Sequence, residues 1–333
     1  MNILLISNYV MGVGGINTQV DLLHTYLNKE NTIQADIFST KGNPLQRFWK
    51  AFLLIHIAKR YDVLHVHACS YWGMVPAVMG IIAGKLLRKR IIITYHGGEA
   101  AEFFAKHTKF VQRWLGRADK IIVLSGFLKN IFEQYDIPCE IIPNIIELQP
   151  HQQLIENSRI TRFISIRHLE PLYDIPCILQ AYEYVLKRYP YITLNILGKG
   201  SLQQNLEQFV IEHKLTGVRF LGQIPNQQIY EHLNNADVML SASKADNMPM
   251  SLLEAMNMGI LVIATKVGGV PYIIEDGKTG LLFPSGDVQQ LADKMIWALE
   301  NPTNVQGIVK NAQVNVQQYS WKNIKEKLIQ IYE

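Results

Sequence analysis

A chain of 333 residues, 48% of them hydrophobic, with a formal charge of +4, exceeds one typical core, so two domains are its natural organisation. No segment has the low-hydrophobicity composition of a disordered tail. The three cysteines, Cys69, Cys139 and Cys177, are odd in number and widely spaced, which argues against a disulfide framework or a metal-ligand cluster and suits a reducing cytoplasm.

Residues 1–7 lack a basic leader, and their apolar run is too short for a signal peptide, so they read as a first strand. The longest nearly charge-free stretch, 71–84, falls short of the ~18 residues of a membrane span. The chain is therefore expected in the cytoplasm, free or on the inner surface of a membrane without crossing it. Residues 1–150 carry 16 Lys+Arg against 11 Asp+Glu, and the remainder 16 against 17. A basic first half suggests an anionic partner there, a phospholipid surface or an acidic acceptor; no nucleic-acid motif is present.

Strand-like apolar runs alternate with helical patterns throughout, which predicts an α/β protein with parallel, doubly wound sheets. The expected strands are 3–7, 35–39, 63–67, 91–95, 120–124 and 139–142, then 162–165, 193–197, 218–221, 238–240, 261–264 and 279–282. The division reads as a first domain over 1–147, a Gln-rich linker at 148–158, a second domain over 159–318 and a final helix, 319–333, that Ser320 is placed to cap.

In chain order, Gly12-Val-Gly-Gly15 follows the first strand and precedes a helix, where glycines let backbone approach a phosphate. It fails as a dinucleotide fingerprint in spacing, so a plain turn is the competing reading. His65-Val-His67 puts two imidazoles on one face of a strand; one packed and one lining a cleft is preferred to a metal site, which needs a third ligand. His96, in Tyr95-His-Gly-Gly98, ends a buried strand on the ligand side of the sheet. Glu99 and Glu102 are acceptor-side candidates, with His67, or simply acidic groups at a helix start. A helix over 103–116 sets Phe103, Phe110 and Trp114 beside Lys106, Lys109, Arg113 and Arg117. It can lie on an anionic membrane or bury its aromatics, and burial is preferred. Asn144 reads as a turn residue.

In the second half Arg167 leaves a strand, Gly198-Lys-Gly200 leaves the next, and Leu221-Gly-Gln-Ile-Pro225 follows a third. The strongest stretch is Ser241-Ala-Ser-Lys-Ala-Asp-Asn-Met-Pro-Met-Ser-Leu-Leu-Glu-Ala-Met-Asn-Met-Gly259: strand, polar loop, helix. Backbone N–H groups at Met250 and Ser251 would meet an anion at the helix N-terminus. Glu254, one turn in, is expected to face solvent in the free protein.

Asp246 and Glu254 with seven residues between them, Ala255-Met-x-x-Gly259, Val267-Gly-Gly-x-Pro271 and Asp276-Gly-Lys-Thr-Gly280 together resemble the donor site of glycosyltransferase family 4. The resemblance covers essentially the whole chain. It implies a GT-B fold, two Rossmann-like domains facing across a cleft with the last helix crossing back to the first. It also implies a retaining transferase that uses a nucleotide-diphosphate sugar, UDP-linked by preference, with no metal or other cofactor. The acceptor would be a glycan or lipid-linked glycan of cell-surface polysaccharide synthesis. By resemblance Glu254 takes the ribose, and Arg167 with Met250 and Ser251 the diphosphate. Asp246, with the backbone of Asn247, Met248 and Met250, takes the sugar. Ile224 lies in the nucleobase loop, Gly14 and Gly15 face the phosphates, and His96 lies near the reacting carbon. Asp246, His96 and Glu254 are thus the expected catalytic group. Two positions depart from the pattern: Ile145 stands for a glycine, and Tyr173 for the lysine that pairs with the diphosphate. Lys199 is the expected replacement and Lys244 the second choice. Two further readings stay open, a catalytically silent GT-B subunit and a nucleotide-sugar epimerase.

Overall fold

The computed structural model describes residues 1–12, 14–149 and 160–333; Val13 and most of the expected linker, from 150 on, lie outside the described residues. The chain divides into two compact units, Met1–Glu147 with Tyr319–Glu333, and Leu148–Gln318.

The first unit runs β1 (Asn2–Ser7), α1 (Gly15–Leu27), β2 (Gln34–Ser39), α2 (Pro44–Ala58), β3 (Val63–Ala68), α3 (Val75–Leu87), β4 (Arg90–Tyr95), α4 (Ala100–Lys106), α5 (Thr108–Leu115), β5 (Lys120–Val123), α6 (Gly126–Gln134) and β6 (Glu140–Ile141). The second has β7 (Arg162–Ile166), α7 (Ile175–Leu186), β8 (Thr193–Leu197), α8 (Gln203–Glu212), β9 (Val218–Gly222), α9 (Asn226–Asn234), β10 (Val238–Ser241), α10 (Met250–Asn257), β11 (Leu261–Thr265), β12 (Leu281–Phe283), α11 (Val288–Glu300) and α12 (Pro302–Val316); α13 (Trp321–Tyr332) returns to the first unit.

Each sheet is parallel and six-stranded, in the orders β2-β1-β3-β4-β5-β6 and β12-β11-β10-β7-β8-β9. Parallel strands covered on both faces are nearly continuous apolar runs, and all six residues of β3 and all five of β11 are buried. Each unit has its own core. Leu64, Val66, Ile93, Tyr95 and Phe104 belong to the first, and Phe163, Ile196, Leu240 and Ile263 to the second. Strand order reverses between β1 and β3 in one sheet and between β7 and β10 in the other. Ligands of open α/β sheets bind outside the strand ends at such switch points.

All twelve expected strands form, with ends shifted by up to two residues. The last begins at Leu281 because Thr279 is used instead by its hydroxyl, which accepts from the Glu275 N–H at 2.8 Å. The single helix expected over 103–116 is two helices, broken at His107, whose φ of −131° and ψ of 34° leave the helical region. Ser320 stands at the N-cap of α13, but its side chain makes no capping bond. Instead its backbone bridges to Ile146. The outer end of α13 is tied down by Arg90, which donates to the carbonyls of Glu333 at 3.1 Å and Ile331 at 3.0 Å.

Candidate functional site

At the switch point of the second sheet, β7 delivers Arg167 and β10 delivers the loop that leads into α10. The Arg167 guanidinium donates to Ser251 Oγ at 2.8 Å and to Ser241 Oγ at 3.3–3.4 Å, and it pairs with Asp246 Oδ2 at 3.1 Å. The two charged side chains are only 10% and 18% exposed, so the pair is weakly screened. Glu254, one turn into α10, is 8% exposed. Burial pushes its carboxyl up to about 7, against the opposing pull of Arg167. The expectation that it faces solvent is wrong, because all eight residues of α10 are buried. Pro249 stands at the N-cap of the helix and offers no side-chain cap, while its carbonyl accepts from the Leu252 N–H at 3.2 Å.

The loop is held from behind. The Gly269 N–H donates to the Asp246 carbonyl at 3.1 Å, and a Cβ at Gly269 would lie 2.2 Å from the Asn247 carbonyl oxygen. Glycine is required there by close approach. The same holds for Gly198, where a Cβ would stand 1.9 Å from the Arg167 carbonyl oxygen. Gly198-Lys-Gly200 thus braces the Arg167 turn, and the Leu169 N–H donates to the Lys199 carbonyl at 3.1 Å. The exposed Lys199 side chain runs over Gly222, its Cε 3.5 Å from where a Cβ would be, and Ile224, two residues further along that loop, is half-buried. Among the described residues no carboxylate pairs with Lys199, whereas Lys244 already faces Asp174 at 3.6 Å. Tyr173 puts its ring under Arg167, 5.8 Å from centroid to guanidinium carbon, a cation–π contact where the resemblance expects a second cation. Asn247, Met248 and Met250 are buried in the loop and the helix start.

In the first unit the histidines form a row. His65 Nδ1 lies 2.8 Å from the Tyr332 hydroxyl and Nε2 2.7 Å from Thr94 Oγ1; His67 Nδ1 lies 2.9 Å from His96 Nε2. The third imidazole that the sequence did not place beside His65 and His67 is His96, one residue past the end of the neighbouring strand β4. The three rings line a small pocket with Gln19, Ile324 and Leu328. No group of three or more His, Cys, Asp or Glu side chains suits a metal ion among the described residues. Burial lowers all three histidines, His65 and His96 to about 3 and His67 well below its usual range, so in the His67–His96 bond one neutral ring donates and the other accepts.

Gly14 precedes α1 with φ +83°, and a Cβ there would meet nothing within 4 Å, while Gly15 is exposed. Glu99 is half-buried. Glu102 is exposed and paired with Lys106 of its own helix. Neither glutamate is brought to the histidines by any hydrogen bond. Ile145 does not loosen its turn: Gln19 accepts from its N–H at 2.8 Å and donates to its carbonyl at 2.6 Å, and Asn144 beside it is buried.

The buried, neutral histidines predict acid lability of the first unit. A histidine held below its unfolded value of about 6.5 contributes stability that is complete above pH 6.5 and is lost as pH falls toward 3. At pH 5.5 that amounts to about 1.4 kcal/mol for His65, and His67, lowered for the same reason, adds in the same direction. Amide exchange in β3 and β4 should accelerate between pH 7 and 5.5 after correction for intrinsic rates. Unchanged protection would refute it.

Two parallel doubly wound units, one with a cation and a helix start at its switch point, define a nucleotide-binding type of α/β protein. The comparisons narrow this. Residues 149–332 match the model of glycosyl transferases group 1, and residues 27–150 that of glycosyltransferase family 4. The chain belongs to this glycosyltransferase family. An uncharacterized glycosyltransferase of Methanocaldococcus jannaschii, MJ1178, is 22% identical over 100% of this chain and 98% of its own. The phosphatidyl-myo-inositol mannosyltransferase of Mycobacterium leprae is 27% identical over 82% of this chain and 73% of its own. Among solved structures, Anabaena Alr3699/HepE in complex with UDP-glucose superposes with a TM-score of 0.81 at 19% identity, covering 99% and 98% of the two chains. The fold is GT-B.

Proposed function

We propose that the chain is a retaining, metal-independent glycosyltransferase. It moves a sugar from a UDP-sugar to a glycan or lipid-linked glycan of cell-surface polysaccharide synthesis, at the cytoplasmic face of a membrane. The observation that carries this reading is the buried cluster of Arg167, Asp246, Ser251 and Glu254 at the β7/β10 switch point. In it Arg167 and the first turn of α10 take the diphosphate, Glu254 the ribose hydroxyls, Asp246 and the 247–250 backbone the sugar, and the Ile224 loop the base. Lys199 adds a cation. As the bond to the diphosphate breaks, negative charge gathers on the leaving phosphate and positive charge on the sugar. A guanidinium already held by Ser241, Ser251 and Asp246 needs little reorganisation to meet the former. The phosphate itself then takes the acceptor's proton. The UDP-glucose of the HepE complex favours the donor class, and the phosphatidylinositol in the name of the mycobacterial relative favours an acceptor at a lipid surface.

The test is a panel of nucleotide sugars and free UDP scored by thermal unfolding. At 100 times its dissociation constant, a ligand of the native state stabilises by about 2.7 kcal/mol, a rise of roughly 5–10 °C for a unit of this size. A rise with UDP and larger with one UDP-sugar is expected. No rise with any member at millimolar concentration would reject the reading.

A further inference from the structure

Helix α2 is apolar on two sides. Leu54 and Ala58 are fully buried against the first core, yet Leu45, Phe48, Trp49, Phe52 and Leu53 are 67%, 57%, 64%, 57% and 49% exposed. Residues 45, 48, 49 and 52 fall at helical spacing, so they form one face. Their rings touch, with centroids 5.8 Å apart for Phe48–Trp49, 5.0 Å for Phe48–Phe52 and 6.3 Å for Trp49–Phe52. Single exposed apolar residues are ordinary, whereas a contiguous aromatic patch marks a surface that meets something. The helix is preformed for it: Asn43 and Gln46 make a complete capping box, and Pro44 occupies the first turn.

Charge says what it meets. Residues 37–61 contain Lys41, Arg47, Lys50, Lys59 and Arg60 and no carboxylate. Among the described residues none of the five makes an ion pair; Lys50 Nζ and Arg47 Nε donate only to the carbonyls of Lys41 and Gly42. Extended to residue 98, the segment holds nine Lys+Arg against one acid, Asp62. A second copy of the chain is a poor occupant, because a two-fold contact would set this basic segment against itself. A layer of acyl chains under anionic headgroups satisfies both halves of the surface at once, aromatics entering the interface and lysines meeting phosphates.

We propose that the exposed face of α2 is a bilayer-docking surface whose ligand is an anionic phospholipid membrane. This deepens the membrane part of the function proposed above and rests on that part alone. It also moves the membrane contact away from the helix expected over 103–116. There Phe103 is 3% exposed, Trp114 is half-buried against the first core and Lys106 is paired with Glu102, which leaves Phe110, 40% exposed, as a single apolar residue rather than a patch.

The experiment is co-sedimentation of the full chain with vesicles of phosphatidylcholine, and of two parts phosphatidylcholine to one of phosphatidylglycerol. The parent should pellet with the anionic vesicles. The variant Phe48→Ser/Trp49→Ser/Phe52→Ser should partition at least about tenfold less, as should Lys41→Gln/Lys50→Gln/Lys59→Gln, since each lysine near an anionic surface is worth about a tenfold factor or less. Lys106→Gln/Lys109→Gln/Arg113→Gln on α4 and α5 should bind like the parent. Each variant is checked for parental unfolding temperature, and because vesicle binding needs no sugar, its failure is distinguishable from failure to bind a nucleotide sugar. A parent that stays in the supernatant, an aromatic variant that pellets like the parent, or equal loss in the α4–α5 variant would overturn the proposal. So would a parental dimer that the aromatic substitutions split without any vesicle binding, which would make a second copy the occupant.

Discussion

Glu254→Gln is expected to stabilise the second unit at pH 8 while weakening its affinity for a nucleotide sugar at least tenfold. A carboxyl raised by burial from 4.5 to about 7 contributes stability that is fully present below pH 4.5 and is lost as pH rises through 7. By pH 8 the ionised, buried group costs on the order of 3 kcal/mol relative to the unfolded chain. Glutamine fills the same space without that cost, so the variants should converge near pH 4.5 and separate above 7. Binding moves the other way, because each hydroxyl donated to a charged carboxylate is worth about 1.5–3 kcal/mol. A residue that destabilises the free protein and tightens the complex is what a binding site built at the expense of the fold looks like. Thermal unfolding across pH 4.5–8 and a titration with the nucleotide sugar found in the panel decide it. A variant less stable than the parent at pH 8, or equal in affinity, removes Glu254 from the site.

Arg167→Gln should reduce turnover by roughly two to three orders of magnitude, the usual loss when a fixed donor to developing charge is removed. It should also destabilise the unit by about 2–4 kcal/mol, because Asp246 is left as a largely buried charge without its partner. The remaining cation should show in a comparison of two lysines. At an effective dielectric near 20, a cation ~4 Å from the diphosphate supplies about 4 kcal/mol of raw attraction before desolvation. Lys244 is engaged with Asp174, and Lys199 has no such tie among the described residues, so Lys199→Ala should lower turnover far more than Lys244→Ala. Tyr173→Lys would set an ammonium against the Arg167 guanidinium, whose carbon lies 5.8 Å from the present ring centroid. That substitution is therefore a poor rescue of Lys199→Ala. If both lysine variants turn over like the parent, compensation by lysine is wrong. If the parent binds no nucleotide sugar at all, a catalytically silent subunit becomes the better account.

Most of the fold is legible in the sequence because the central strands, covered on both faces, are nearly unbroken apolar runs, and the edge strands β2 and β9 keep enough of the pattern around Asp36 and Arg219 to be read as well. What stays hidden depends on partners distant in sequence. Nothing in residues 103–116 marks the break at His107; the apolar period continues through it, and no glycine or proline interrupts it. Arg167, Asp246 and Glu254 can be read from order and spacing. That Ser241 and Ser251 hold the guanidinium cannot, since a serine at a strand end or in a first turn has many uses. The His67–His96 contact needs the β3–β4 register, in which His67 stands opposite Thr94. The α2 face does leave a signal, apolar residues at helical spacing inside a run without carboxylates. It is easily passed over because that spacing is ordinarily the mark of a buried face.

The first unit is made from chain on both sides of the second, and its two segments meet at the Ile146–Ser320 bridge. On the ribosome this inverts the usual order of completion. Synthesis at ~5–20 residues per second needs roughly 10–35 s to pass through residues 148–318. Throughout that interval the first sheet waits without α13. His65 lacks the Tyr332 hydroxyl, and Arg90 lacks the carbonyls of Ile331 and Glu333. The half that is translated first is therefore the half that is sealed last, with the continuous second unit able to fold while its neighbour is still open to chaperones and proteases.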